Sequence, residues 1–364
     1  MPAPLRGWFP FVVGALSCGP VPDSRPEAAP SAQLPVLTPS PAVSIASQEF
    51  SAEPGGLARL SDGRLAFLDW GARTLFYFDS TGAPIGQSGR PGFGPGEFQS
   101  PQLVQVMVGD TVVIWDQLTR RVSWFGPSGN LTSELVLDPR QASGAQPLIG
   151  MTSAGDLLVR HETTEPGDSA GFLRKTATLR LLGRDGRVRH DIGRYPAGWE
   201  DPKGYRFFGW TLITRLAGDR IYLGTNDRWE IVAISLRGDT IQHFRKSWEP
   251  RPVTAADREA LQRTFAERHA VPGFADADRF APTVPAFGRL LVDPKGRLWA
   301  PEYAPPYHAP TQVTVMGSTG LTLGALALPE GFRPSEVGAD YMLGWRRDGD
   351  GLLTLALYRL VEKQ

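Results

Sequence analysis

Short apolar runs, each entered through a tight polar turn, recur along most of the chain. Asp62-Gly63 precedes Arg64–Leu68, Gly109-Asp110 precedes Thr111–Trp115, and Gly155-Asp156 precedes Leu157–Val159. The pattern returns at Gly218-Asp219 before Arg220–Leu223, at Lys295-Gly296 before Arg297–Trp299, and at Gly338 to Asp340 before Tyr341–Leu343. A second glycine turn trails the first five: Gly82, Gly129, Gly186, Gly238 and Gly320. Seven residues before these glycines stand Leu75, Val122, Leu179, Ile231 and Val313; four before stand Phe78, Phe125, Leu182, Ile234 and Met316. All ten positions are large and apolar, so turn and strand keep one register. Turns between short β-rich runs predict antiparallel hairpins.

Each unit then holds an inner strand, a hairpin, a third strand, a second hairpin and an outer strand. Four-stranded units repeating every 45–50 residues or so are propeller blades. The spacing is 47 residues from Asp62 to Gly109 and 46 from Gly109 to Gly155, then longer where insertions enter. The sixth unit lacks its second glycine turn, and the chain ends just after a third strand over Leu352–Val361. An unpaired edge there is a liability. The leftover segment Val43–Phe50 (VSIASQEF) is the natural donor of the missing strand. The pattern predicts an all-β fold over residues 43–364: a six-bladed β-propeller whose ring is closed by an N-terminal strand in the last blade.

Composition narrows the function classes. The 364 residues carry 38 basic and 38 acidic side chains, a balance that argues against a general binder of nucleic-acid backbones. One cysteine excludes an intrachain disulfide framework and Cys-rich metal sites. Ten Trp and 10% aromatic residues point to a sizeable core. No GxSxG, HExxH or P-loop occurs, and the glycines at 89–96 lie between strands rather than ahead of a helix.

Residues 1–17 (MPAPLRGWFPFVVGALS) run from one charge at Arg6 through an apolar stretch to small Ser17, the order of a secretory signal. The sole cysteine, Cys18, follows at once. This resembles the bacterial lipoprotein signal, with Ala15 where Leu is usual. The resemblance implies lipidation at Cys18 and attachment to a membrane through that lipid. Residues 18–42, rich in Pro, Ala and Ser, read as an extended tether. Gly19 after the cysteine resembles outer-membrane sorting. The expected location is the bacterial cell envelope, at the outer membrane or facing the periplasm.

The stretch Gly89-Arg90-Pro91-Gly92-Phe93-Gly94-Pro95-Gly96-Glu97-Phe98, followed by Pro101, with Asp69 and Asp116 ending second strands, resembles an NHL-type repeat. Residues 43–364 are similar to the six-bladed NHL-like propellers of many bacterial lipoproteins. The match is good over two blades and looser afterwards, where Thr225 replaces the expected Asp. The resemblance implies two alternatives. One is a binding or scaffold module, presenting its face to a protein, peptide or glycan. The other is a lyase or an ester or lactone hydrolase acting at the central funnel with a divalent metal. In such repeats Asp and Arg tie neighbouring strands, which Arg73, Arg120 and Arg121 are expected to do; a basic ring for an anion is the alternative.

Nearly all extra sequence falls on one expected face, built from loops joining strands two and three and loops joining blades. His161–Lys175 extends blade three, Gly193–Phe208 follows it, and Trp248–Phe287 sits between blades four and five. The last contains a helical insertion over about 253–271, with Thr254 as N-cap and Leu261 and Phe265 four apart. Loops on a rigid scaffold usually carry function. The candidate ligand-binding residues are therefore His161, Trp199, Tyr205, Glu302, Tyr303, Tyr307 and His308. His161, His269 and His308 share this face but their spacing is no metal motif, so no metal site or other cofactor is assigned and catalytic residues stay unassigned. The expected assembly is a monomer that binds no nucleic acid.

Overall fold

Both faces of the second strand in blade 1 (Leu65–Asp69) are buried, and the same is true of Val112–Asp116 in blade 2. Such a strand must be covered on two sides, and the fold covers it with the neighbouring blades. Leu65 and Phe67 pack toward blade 6, whereas Ala66 and Leu68 pack toward blade 2. This alternation continues round the ring. In the computed structural model, six apolar clusters sit one at each blade-to-blade junction. All ten register positions named above are buried.

The structure describes residues 34–47, 50, 54–144, 147–167, 171–201, 206–269, 280–306, 308–347 and 351–362, and side chains in the helix only as far as 264. They belong to one unit, Gln33–Gln364. Residues 1–17, Cys18, Tyr205, Tyr307 and the side chain of His269 lie outside the described set. Blades 1 and 2 are regular four-stranded sheets, Pro54–Ser88 and Pro101–Val136. Blade 3 spans Leu148–Glu200, blade 4 Leu212–Arg245 and blade 5 Leu291–Ala327. Blade 6 supplies Arg333–Val337, Tyr341–Arg347 and Leu353–Val361, and the N-terminal region completes it.

The closing strand is in two pieces. Val43–Ala46 pairs antiparallel with Leu357 to Thr354, as expected. The pairing begins earlier than Val43, however: Val36 and Leu37 face Val361 and Leu360 on the same strand. The tether expected over 18–42 therefore gives way to the fold by Val36. Pro39 and Pro41 explain the gap, because proline has no N–H to offer a ladder and is tolerated only on an edge such as this one. Gly82 shows how closely the closing strand is seated. Its φ is +96°, and a Cβ there would stand 2.9 Å from Ile45 Cγ1.

The insertions take a different form from the loops expected. Leu157–Pro166 and Leu173–Leu182 pair along their full length, and Val188–Glu200 continues the sheet. Blade 3 thus extends as a long hairpin with a third strand beside it. The helix runs Ala255–His269. Thr254 Oγ1 accepts from the Asp257 N–H (3.2 Å), and Asp257 Oδ2 accepts from the Thr254 N–H (2.8 Å), a reciprocal cap. Of its described side chains only Leu261 is fully buried, against Phe207, Phe208, Val253 and Phe280.

Candidate functional site: a loop-face cleft and an arginine-lined axis

Four elements converge on the loop face. They are the end of blade 3 at Trp199, the connection Arg206–Trp210, the blade 4 turn at Asp227, and the returning segment Ala281–Pro285. Between them lies a cleft of about 210 Å³, walled by Trp199, Phe208 and Trp210, with Arg206 and Asp227 as its charged groups. Trp199 pairs opposite Arg174 in the extended sheet, whose guanidinium lies 5.7 Å from its ring. A Cβ at Gly167 would come within 2.4 Å of the Trp199 ring, so the indole also fastens the hairpin. Phe208 adopts φ +57°, a left-handed conformation costly for a bulky residue. Packing holds it there, with Phe280 6.2 Å and Tyr303 5.9 Å away between ring centroids. The Arg206 Nε is buried without a hydrogen-bond partner among the described residues, while its guanidinium stacks 4.4 Å from the Phe172 ring.

Of the described residues singled out in the sequence, Trp199 and Tyr303 thus flank Phe208, and His161, Glu302 and His308 make their hydrogen bonds elsewhere. His161 Nδ1 is 3.1 Å from Ser143 Oγ on blade 3. Glu302 closes its own hairpin, accepting from the Thr311 N–H (2.9 Å), the Thr311 hydroxyl (2.5 Å) and Gln312 Nε2 (3.2 Å). His308 Nδ1 lies 3.1 Å from the nearby Pro306 carbonyl, and its backbone N–H donates to Pro305 O at 3.0 Å. Arg120 donates to the carbonyls of Leu137 (3.1 Å) and Ala142 (2.6 Å), and Arg121 to those of Gly94 (2.6 Å) and Phe93 (3.1 Å). Arg73 reaches Gln99 Oε1 at 3.3 Å. These arginines tie loops and do not form a ring open to a ligand. Buried Asp116 gathers four backbone N–H groups, from Gln99, Ser100, Leu118 and Thr119. Where Thr225 departs from this pattern, Asn226 one residue on takes the task, bonding Thr211 N–H and Phe287 O.

A basic group missed at the sequence level stands around the axis. Consecutive inner strands touch from blade 1 to blade 4, and from blade 5 through blade 6 back to blade 1. Arg215 lies on the inner strand of blade 4, Arg333 opens that of blade 6, and Arg289 stands just ahead of that of blade 5. Arg289 donates to Pro334 O at 2.7 Å. The carboxylate opposing Arg215 is Glu336, which accepts from the Tyr341 hydroxyl and, at 3.2 Å, from the Arg59 N–H. Burial raises the Glu336 carboxyl above its usual range, opposed by those hydrogen bonds and by the charges of Arg215 and Arg59.

No protein-family model matches the chain, and no curated sequence matches it. Solved structures do. An exported-protein candidate of Bacteroides fragilis superposes with a TM-score of 0.54 at 14% identity, covering 92% of this chain and 96% of that one. A member of the duf4221 family from Bacteroides vulgatus gives 0.50 at 12%, covering 91% and 98%. Virginiamycin B lyase from Staphylococcus aureus gives 0.47 at 10%, covering 88% and 98%. The likeness is one of fold. The chain is a six-bladed β-propeller, and what it does must be read from its own side chains.

The metal expected of funnel-acting lyases and lactonases can be tested against these side chains. Among the described residues no group of three or more His, Cys, Asp or Glu is placed to hold a metal ion. The axis presents guanidinium groups instead, which repel a divalent cation. The donor set does not fit. No described helix is long and apolar enough to cross a membrane.

Proposed function

We propose that this propeller is a binding module of the bacterial cell envelope, held to the membrane by lipid on Cys18. Its loop face receives a peptide or glycan segment in the Trp199 cleft. The observation that carries this reading is the cleft itself: three aromatic walls, one of them held at positive φ, beside a guanidinium nitrogen with no partner among the described residues. Aromatic planes give large contact area at little entropic cost, and buried polar atoms seek a ligand's acceptors. The metal-dependent hydrolase or lyase reading loses ground to the basic axis.

Titration of the purified full-length protein with envelope glycan fragments and proline-rich peptides, followed by tryptophan fluorescence, tests the cleft. Trp199→Ala should weaken binding by about 2 kcal/mol or more, and Arg206→Ala by about 1 kcal/mol. Unchanged affinity in both variants, with the circular-dichroism spectrum intact, would remove the cleft from consideration. The tether is checked separately, by a globomycin-sensitive mass shift that Cys18→Ala abolishes.

A further inference from the structure

The axis carries a second site that does not depend on the cleft. Arg215 and Arg289 belong to neighbouring blades, and Arg333 to the next. Neither Arg215 nor Arg289 has a carboxylate within ion-pair distance among the described residues. Among the described residues the buried Arg215 Nε has no hydrogen-bond partner, and Arg289 Nη1 donates to the Pro334 carbonyl. Arg289 is exposed although protein surrounds it, as befits a group on the wall of a solvent-accessible channel. Preceding Gly288 is exposed too.

We propose that Arg215 and Arg289 form a binding site for a small oxyanion, a phosphate or a carboxylate, entering from the loop face. Glu336, the carboxylate that opposes Arg215, is already engaged by the Tyr341 hydroxyl and the Arg59 N–H. Guanidinium forks match oxyanions in pairs of hydrogen bonds, and they do so most strongly where water is partly excluded. Surrounding protein, then the charges of Arg215 and Arg333, lower Arg289 to about 10, which leaves it fully charged at neutral pH. Arg160 does not join the site, because Glu162 (3.1 Å), Leu212 O (3.2 Å) and Thr214 Oγ1 (3.2 Å) already hold it.

Isothermal titration of the full-length protein with inorganic pyrophosphate and with citrate, at fixed ionic strength, tests the site. Saturable binding of either probe supports it, and the preferred probe tells phosphate from carboxylate. Arg289→Gln and Arg215→Gln should each weaken binding by about tenfold or more, whereas Glu336→Gln should strengthen it several-fold by removing the opposing charge. Arg289→Lys, which keeps the charge and loses the fork, should fall between wild type and Arg289→Gln, and it serves if Arg215→Gln does not fold. Surface Arg140→Gln and cleft Trp199→Ala should leave the affinity unchanged. No saturable binding of either probe would overturn the proposal. So would a Glu336→Gln protein that binds as poorly as Arg289→Gln, since that marks a structural role.

Discussion

Two sets of arginines divide the propeller. Arg73, Arg120 and Arg121 follow the second strands of blades 1 and 2, and their donors end on carbonyls and a glutamine of adjoining loops. Arg215 and Arg289 line the axis, where donors exceed acceptors. Arg215 is partly withdrawn from water, as are Arg73, Arg120 and Arg121, so residue type and burial do not separate the sets. The difference is saturation. A guanidinium whose forks are filled by the fold holds it together, whereas one left unfilled costs stability and waits for an acceptor from outside.

The largest test of this contrast removes a saturated partner. Asp116→Ala strands four backbone N–H groups, of Gln99, Ser100, Leu118 and Thr119, and should cost about 3 kcal/mol or more in urea unfolding. Arg120→Ala should follow at about 2 kcal/mol, because the buried carbonyls of Leu137 and Ala142 lose their donor. Asp116→Ala within about 0.5 kcal/mol of wild type would mean that the turn is not held this way.

The axis should answer in the opposite sense. Arg215 is held below its usual value, first by burial, with Glu336 opposing. It also adds to the charge that depresses Arg289. Arg215→Met removes one cation from a like-charged group while keeping similar bulk. In anion-free buffer its unfolding free energy should stay within about 1 kcal/mol of wild type or rise, although the residue is as withdrawn from water as Arg120. A loss matching that of Arg120→Ala would erase the distinction between the two sets.

The ring was legible in the chain because a propeller repeats one physical solution six times. Turn glycines recur where φ must be positive, and apolar residues recur at fixed distances before them. Blade 3 was less legible: Val188–Glu200 is a strand, but three register shifts along its pairing break the alternation that would have marked it. The axial arginines left a fainter trace. Arg59, Arg215 and Glu336 each put a charge in the run just before a Gly-Asp type turn, where an inner strand should be apolar. What periodicity along the chain does not contain is the closure that brings blades 4, 5 and 6 round one axis. His308 and Glu302 drew attention by crowded chemistry, but Glu302 satisfies its own hairpin.

Arg251 supplies a third kind of arginine, saturated but exposed, and the smallest expected effect. It pairs with Asp257 at 2.7 Å at the start of the helix, with over half of its side chain open to solvent (55%). Screening should hold Arg251→Gln to about 0.5 kcal/mol. Asp257→Asn should cost more, about 1 kcal/mol, because Asp257 also caps the Thr254 N–H. Asp257 is held well below the usual carboxylate range, first by the Arg251 hydrogen bond and helped by Thr254. A depressed acid stabilises the folded state above its ordinary value of 3.8, and that contribution fades as pH falls from there through the lowered value. Amide exchange in Ala255–His269 should therefore quicken on acidification before the blades respond, and in Asp257→Asn that acid-dependent step should vanish. Equal acid sensitivity in the variant would show that saturation counts for nothing once a guanidinium pair faces water.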